Sequence, residues 1–238
     1  MMACAVCAAL ALTLLVLPSI TAAQSGGLTW TRVAQNGDRP DPRNWFAFGH
    51  DPLSNSLIVF SGVTANETEM NDTWIFNIAD GTWTEVSPSS APAGRADSYY
   101  GVLRVNGESL FVVTHGFWDS ELDDVWAFRF STNEWTEIKP TGRSPGRRYG
   151  GHFGAAYGDS NVLWVGGGFT AEAGLLPIRY IDTYKLEFTD FTTATWEEVF
   201  PQPSVGNQFL PFQPHGRCLQ TSAIVGQMGL VIAGGCMT

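Results

Sequence analysis

The residues able to do chemistry in this chain of 238 amino acids are few and scattered. The four histidines are His50, His115, His152 and His215, and none has the i, i+4 or Cys-x-x-Cys company of a metal site. No serine stands in a local motif that would organise a catalytic nucleophile. We therefore expect no catalytic residue, no metal ligand and no cofactor, and we interpret the histidines as structural or surface residues.

Two cysteines near the end of the chain could form a disulfide. Cys218 and Cys236 flank a predicted hairpin of two strands, Leu219–Val225 and Leu230–Ala233. With the turn between the strands as centre, the two sulfurs lie within one residue of facing each other, which makes a cross-strand disulfide geometrically plausible. Two buried free cysteines, or partners outside this sequence, are the alternatives.

The N-terminus resembles a targeting segment. Residues 3–20 form an apolar run followed by small residues, which is typical of a secretory signal cut after Ala23. Removal of residues 1–23 would also remove Cys4 and Cys7. We expect a secreted or extracellular protein, or the ectodomain of a longer membrane protein; a retained membrane anchor is the alternative. No second apolar run is long enough to span a bilayer.

Composition narrows the class of partner. The net charge of -10 excludes nucleic acid as an expected partner, because phosphate binding needs a basic surface. The chain is 44% hydrophobic and 15% charged, which predicts a sizeable buried core. A protein or a glycan is the partner that we expect.

An internal sequence repeat predicts the secondary-structure units that position these residues. The interval from Arg43 to Arg95 is 52 residues, as is the interval from Trp83 to Trp135, and a looser third copy covers residues 147–199. A period near fifty indicates a supersecondary unit stacked on copies of itself, because one unit cannot bury its own apolar face.

Each repeat contains four short segments with strand character, separated by turn residues. The first two segments of the second repeat are joined by Asn106-Gly107, a strong hairpin signal because both residues tolerate positive φ. Nothing in the repeat shows helical periodicity. The four predicted strands of the second repeat are Tyr99–Val105, Ser109–Thr114, Asp124–Phe130 and Glu134–Ile138.

From Leu28 to its end the sequence resembles the kelch-repeat family. The resemblance rests on a glycine-rich end of the second strand, an aromatic in the third strand and a tryptophan in the fourth. The resemblance implies an all-β fold, a kelch-type β-propeller of four-stranded antiparallel blades. The matching residues are Ser61-Gly62, His115-Gly116, Gly166-Gly167 and Gly234-Gly235, then Trp74, Trp126 and Tyr184, then Trp83, Trp135 and Trp196.

Structural roles explain the recurrent residues best. We expect the tryptophans to bury area between neighbouring blades, and the arginines to tie adjacent blades together through a carbonyl or a repeated aspartate such as Asp72 or Asp124. The expected anchors are Arg43, Arg95, Arg147, Arg217, Trp83, Trp135 and Trp196.

The blade count predicts about three full blades plus partial terminal strands within residues 24–238. Propellers close with roughly four to eight blades, so the sequence predicts an incomplete propeller, part of a larger ring or a truncated gene model. The predicted parts are a fourth strand at 28–33, blades at 43–86, 95–138 and 147–199, and the first hairpin of a further blade at 217–235.

The third repeat is longer than the others, and two of its insertions extend one side of the disc. From Arg147 to Asp182 is 35 residues, against 29 from Arg43 to Asp72, so the loop between the second and third strands gains six. Apolar residues in the insertions make a candidate recognition patch, or alternatively a small satellite core. These residues are Leu175, Leu176, Ile178, Arg179, Phe209, Leu210 and Phe212.

The same side of the disc carries two predicted N-glycosylation sites. Asn66 and Asn71 each begin an Asn-x-Thr motif in the first repeat's loop between the second and third strands. A glycan there would accompany secretion and would restrict the partners on that side.

The expected function is that of a secreted, non-catalytic scaffold that binds a protein or a glycan. Two alternatives stay open: the propeller part of a secreted enzyme such as a galactose-oxidase-like copper oxidase, or a truncated product with no separate function. An oxidase of that type needs a Cys–Tyr crosslink near the propeller axis. Cys218 and Cys236 flank one terminal hairpin, and that arrangement does not match.

Overall fold

A computed structural model of the protein describes residues 37–155, 160–170, 178–201, 221–225 and 229–233. These residues belong to one compact unit, Ala34–Thr238. The predicted signal segment and the predicted strand at 28–33 lie outside the described residues.

All regular structure in the described residues is β-strand, which confirms the all-β prediction. In chain order the strands are β1 Arg43–Asn44, β2 Ala47–Asp51, β3 Ser56–Phe60, β4 Val63–Thr64, β5 Thr73–Asn77, β6 Thr82–Val86, β7 Tyr99–Val105, β8 Glu108–Thr114, β9 Phe117–Trp118, β10 Ser120–Glu121, β11 Val125–Arg129, β12 Glu134–Ile138, β13 Thr141–Gly142, β14 His152–Ala155, β15 Val162–Gly166, β16 Phe169–Thr170, β17 Ile178–Arg179, β18 Thr183–Phe188, β19 Ala194–Phe200, β20 Thr221–Val225 and β21 Gly229–Ala233.

The longer strands form three consecutive antiparallel sheets, which we call blades 1, 2 and 3. Blade 1 has the strand order β2-β3-β5-β6, blade 2 the order β7-β8-β11-β12, and blade 3 the order β14-β15-β18-β19. Within a blade, each of these four strands therefore pairs with the next one along the chain, as expected for an up-and-down propeller blade. The strands β20 and β21 form a separate hairpin.

Blade 2 agrees closely with the strands predicted from the sequence. Its second strand begins one residue earlier than predicted, at Glu108, and its third strand covers Val125–Arg129. The turn at Asn106-Gly107 has positive φ at both residues, as the hairpin signal required.

The blades bury their apolar faces against one another. Phe60 of blade 1 lies 4.9 Å, between ring centroids, from Trp135 of blade 2, and the Trp135 indole N–H donates a hydrogen bond of 3.0 Å to the hydroxyl of Thr73. Complete burial of such a side chain stabilises the fold by roughly 1.5–3 kcal/mol. Trp196 of blade 3 packs in the same way, with its ring 5.9 Å from that of His115 of blade 2 and nearly perpendicular to it.

The expected interblade role is therefore seen for Trp135 and Trp196. Trp83 has the same register in blade 1, opposite Phe76, and its side chain is half-buried. Phe48 of blade 1 is 54% exposed, and its ring lies 5.6 Å, between centroids, from that of Tyr100 in blade 2.

Blade 3 has a strand that the sequence did not predict. The two-residue strand β13, in the connection from blade 2, pairs in parallel with the start of β19. Gly142 of β13 lies so close that a Cβ there would approach the carbonyl oxygen of Trp196 to 2.2 Å. This connection therefore closes the outer edge of blade 3.

Candidate functional site

A buried arginine holds the end of each blade together. In blade 2 the two terminal nitrogens of Arg95 bind the two carboxylate oxygens of Asp124, at 2.7 and 2.8 Å. Arg95 also donates to the carbonyl oxygen of His115, at 3.1 Å, and its side chain is completely buried. Burial alone would raise the pKa of Asp124, but the hydrogen bond and charge of Arg95 and the Trp126 indole N–H outweigh it and lower that pKa.

The same arrangement recurs in the other two blades, with one correction to the sequence analysis. Arg43 binds Asp72 in blade 1, and Arg148 binds Asp182 in blade 3. The prediction of Arg147 as the third anchor is wrong: its side chain is 64% exposed and lies 3.8 Å from Asp123. Because Arg148 and Asp182 are 34 residues apart, the loop of blade 3 gains five residues rather than six.

We had expected the arginine side chains to tie adjacent blades together, but they bind within their own blades. The connection between blades is made by the main chain of the same residues instead. The amide of Gly62 in blade 1 donates to the carbonyl of Arg95 in blade 2, at 3.2 Å, and that of Gly116 donates to Arg148 in blade 3, at 3.1 Å.

Glycine is needed at these main-chain connections between blades, which we call the joints. Gly62 and Gly116 have φ of 98° and 104°, and a Cβ would come within 2.7 and 2.8 Å of a main-chain oxygen. The equivalent residue in blade 3 is Gly168, because the amide of Gly167 donates to Asp182 as that of Ser61 does to Asp72. The repeated pair is therefore Gly167-Gly168, one position later than predicted.

A second repeated feature lies where each first strand begins. Trp45, Asp97 and Gly150 occupy equivalent positions and have φ of 56°, 51° and 63°. The amide of Asp97 donates to the carbonyl of Trp45, at 3.3 Å, and the amide of Gly150 donates to the carbonyl of Asp97, at 3.0 Å. The three blades are thus linked in series by main-chain hydrogen bonds at this end.

We call this end of the sheets the loop face; it also carries the connections between second and third strands. Three half-buried aromatic rings of blades 2 and 3, Phe117, Tyr149 and Phe169, follow one another there, and we call them the aromatic strip. The Tyr149 ring lies 5.2 Å from that of Phe117 and 4.1 Å from that of Phe169. A β-bridge between Tyr149 and Phe169 fixes the strip to the backbone.

Two carboxylates flank the aromatic strip. Glu121 lies opposite Phe117 in the small hairpin of β9 and β10, and Asp97 follows Ala96, which forms a β-bridge with Phe117. Burial raises the pKa of Asp97 to about 6. The pKa of Tyr149 is also raised, by burial and then by the negative charges of Glu121 and Asp97.

Part of the predicted recognition patch lies at the same face. Ile178 is 53% exposed in β17, and Arg179 is half-buried opposite Phe169. The other predicted patch residues, Leu175, Leu176, Phe209, Leu210 and Phe212, lie outside the described residues, as do Arg217, Cys218 and Cys236, so those assignments stay predictions.

Both predicted glycosylation sites are exposed on the loop face. Asn66 lies in a tight loop in which the amide of Thr64 donates to the carbonyl of Thr68, at 2.9 Å. Asn71 is exposed but adjoins Asp72, which is fixed by Arg43.

His115 has an unusual environment for a histidine. It is completely buried between blades 2 and 3, with its ring stacked on Tyr99 at 5.2 Å and a hydrogen bond of 2.8 Å to the hydroxyl of Thr114. Burial, with the positive charge of Arg148, lowers its pKa to about 3. It occupies the position of Ser61 and Gly167, and its φ of 57° is uncommon outside glycine.

The described residues contain no group of three or more His, Cys, Asp or Glu side chains arranged to hold a metal ion. In the same residues, no helix has the length and apolar character needed to cross a membrane.

Comparison with known proteins places these features in a family. Residues 20–235 match the family model described as the KLHDC2/KLHL20/DRC7 Kelch-repeats domain. The chain is 28% identical to Adagio protein 3 of Arabidopsis thaliana over 178 residues, which are 71% of this chain and 27% of that protein. It is also 28% identical to tRNA wybutosine-synthesizing protein 4 of Saccharomyces cerevisiae over 153 residues, 64% of this chain and 19% of that protein.

The chain thus spans about a quarter or less of these two curated relatives. Among solved structures, YjhT superposes with a TM-score of 0.57 at 20% identity, covering 82% of this chain and 59% of that one, which shows a shared fold. Since the family model covers nearly the whole sequence, and the described residues form its four-stranded units, the chain belongs to the kelch-repeat family and its units are blades of a kelch β-propeller.

Proposed function

We propose that this protein is a secreted, non-catalytic kelch propeller that binds a protein partner through its loop face. Kelch domains generally mediate protein interactions, which supports the binding role. The apolar run at residues 3–20 and the two Asn-x-Thr motifs support secretion.

The exposed aromatic and aliphatic surface at the loop face is the observation that carries the proposal. Trp45 is 58% exposed and Ile178 is 53% exposed, and the aromatic strip lies at the same face. The buried arginines, in contrast, are each paired with an aspartate within the fold, namely Asp72, Asp124 or Asp182. The repeated residues hold the fold, and the surface that differs between blades is available for a partner.

The binding role predicts that changes at the loop face release the partner without unfolding the protein. A partner identified by cross-linking to the full-length secreted protein would be purified, and its affinity for variants measured by interferometry. Trp45→Asn and Ile178→Asp should each weaken binding at least about tenfold, a loss of ~1.4 kcal/mol. Asparagine is chosen at position 45 because it tolerates the positive φ found there.

Leu53→Asn is the matched control for this experiment. Leu53 is 59% exposed, like Trp45, but lies in the turn between β2 and β3 at the opposite end of blade 1. Its substitution should leave the affinity unchanged, and all three variants should keep the melting temperature of the parent. An equal loss with Leu53→Asn, or no loss with the other two, would place the binding surface elsewhere.

Secretion is tested through the predicted glycan. Expressed in a secreting eukaryotic cell, the full chain should appear in the medium, and removal of N-linked glycans should increase its gel mobility. Asn66→Gln should abolish most of that shift, because Asn66 lies in an exposed loop away from the arginine anchors. Retention of the unglycosylated chain inside the cell would contradict secretion, and stoichiometric copper or iron in the secreted protein would contradict a non-catalytic role.

A further inference from the structure

The loop face also indicates the chemistry of the partner. This inference rests on the proposed function. We propose that the partner presents a lysine or arginine side chain, which binds over the aromatic strip between the carboxylates of Asp97 and Glu121.

The aromatic strip offers ring surface suited to a cation. Tyr149 is the middle ring, and its neighbours Phe117 and Phe169 hold it in place at 5.2 and 4.1 Å. All three rings are partly accessible to solvent. A cation placed over such a ring is attracted by the negative face of the π system, with about 0.5–2 kcal/mol of stabilisation.

The carboxylates beside the strip supply the charge that a cation requires. Glu121 lies across the hairpin from Phe117, and Asp97 lies next to the residue that bridges to Phe117. Within the described residues, the carboxylate of Asp97 has no hydrogen bond or ion pair of its own. A half-buried carboxylate without a partner costs stability, so a ligand cation that reaches it recovers a charge-assisted hydrogen bond.

The buried arginines of blades 2 and 3 do not pair with the Asp97 carboxylate. Arg95 and Arg148 are each bound to both oxygens of another aspartate, Asp124 and Asp182. Both charges that act on Tyr149 are negative, those of Glu121 and Asp97. Arg179 lies opposite Phe169, in β17.

The rim of the loop face favours the same class of ligand. Exposed or half-exposed acidic residues occur in the loops of blades 1 and 2 on this side, at Glu67, Glu69 and Asp119. With a net charge of -10, the protein attracts a basic segment at long range and repels an acidic one. A neutral glycan could stack on the rings, but it would leave the Asp97 charge uncompensated.

Fluorescence anisotropy with labelled peptides tests the inference on the full-length protein. The probe is a capped peptide of Gly-Ser-Lys repeats, compared with peptides carrying arginine, norleucine or glutamate in place of lysine. The lysine and arginine peptides should bind, and the norleucine and glutamate peptides should not. Asp97→Asn and Tyr149→Leu should each weaken the lysine peptide at least about tenfold.

Asp97→Asn is the decisive variant, because asparagine tolerates positive φ and keeps the size of the side chain. Glu85→Gln is its control, since Glu85 is an exposed carboxylate on β6 whose loss removes the same charge away from the strip. The control should change the affinity by less than about twofold.

Several results would overturn the inference. Equal losses with Glu85→Gln and Asp97→Asn would show non-specific attraction to an acidic surface, and equal binding of the norleucine peptide would show a purely apolar site. Binding of a cello-oligosaccharide with no binding of the lysine peptide would indicate a glycan site instead. If Trp45→Asn still releases the protein partner while the lysine peptide fails to bind, the loop-face function stands and only this inference fails.

Discussion

Replacing Arg95 by alanine is expected to cost about 3–5 kcal/mol of unfolding free energy, the usual result of breaking a buried ion pair from one side. The change leaves the Asp124 carboxylate with only the Trp126 indole N–H and its own backbone N–H as donors, and leaves the carbonyl of His115 without the Arg95 donor. Arg95→Lys should cost less but still destabilise, because an ammonium group cannot bind both carboxylate oxygens in a fork. Urea unfolding followed by tryptophan fluorescence measures both.

The matched control is Arg143→Ala. Arg143 likewise forms an ion pair with a carboxylate, that of Glu198, at 2.7 Å, but the Arg143 side chain is 77% exposed. Its loss should cost about 0–1 kcal/mol. If Arg95→Ala does not fold, the comparison of Arg95→Lys with Arg143→Ala still decides the question. If Arg95→Lys and Arg143→Ala lowered the unfolding free energy equally, the buried Arg95–Asp124 pair would contribute no more to stability than an exposed ion pair.

Acid is expected to destabilise the protein through His115. Its pKa is lowered to about 3 by burial, whereas the unfolded chain has the ordinary value near 6.5. Above pH 7 the ring is neutral in both states and contributes no difference. As the pH falls from about 6.5 towards 3, only the unfolded state takes up this proton, so stability falls by about 1.4 kcal/mol per pH unit.

His115→Asn isolates this effect. Asparagine tolerates the positive φ but removes the ring that stacks on Tyr99, so the variant should be less stable at neutral pH and less sensitive to acid. Protonation of Asp97 has the opposite effect on stability between about pH 6 and 3.8, because its pKa is raised in the folded state. Asp97 is present in both the parent and the His115→Asn variant, so this effect is the same in the two proteins. Stability curves that stay parallel below pH 6 would contradict the assignment to His115.

The sequence predicted the sheets well because their signals are local. Alternating apolar residues and the Asn106-Gly107 turn determine the strands of blade 2 to within a residue or so. The anchor of blade 3 was misplaced because a fixed interval of 52 selects Arg147 from two adjacent arginines, although the connection containing β13 is one residue longer. In the structure, the buried ion pair with Asp182 identifies Arg148 as the anchor.

The aromatic strip was missed for a different reason. Its rings come from two blades and meet only because Gly116 and Gly168 turn the chain at the joints. The signal was present, since an aromatic follows the glycine in His115-Gly116-Phe117 and Gly167-Gly168-Phe169. Sequence periodicity alone indicates a structural role for these aromatic residues. Their proximity to the carboxylates of Asp97 and Glu121 is found only in the folded structure.

The joint between blades has a consequence for how such a protein can change in length. Gly62 meets Arg95 with the same main-chain hydrogen bond with which Gly116 meets Arg148. A duplicated segment running from Arg95 to Arg147 would therefore begin and end on matching donors and acceptors, and a deletion of it would rejoin Gly62 to Arg148. Whole blades are thus interchangeable cassettes at the level of the backbone, so gene duplication can alter their number without creating an unpaired amide at the seam.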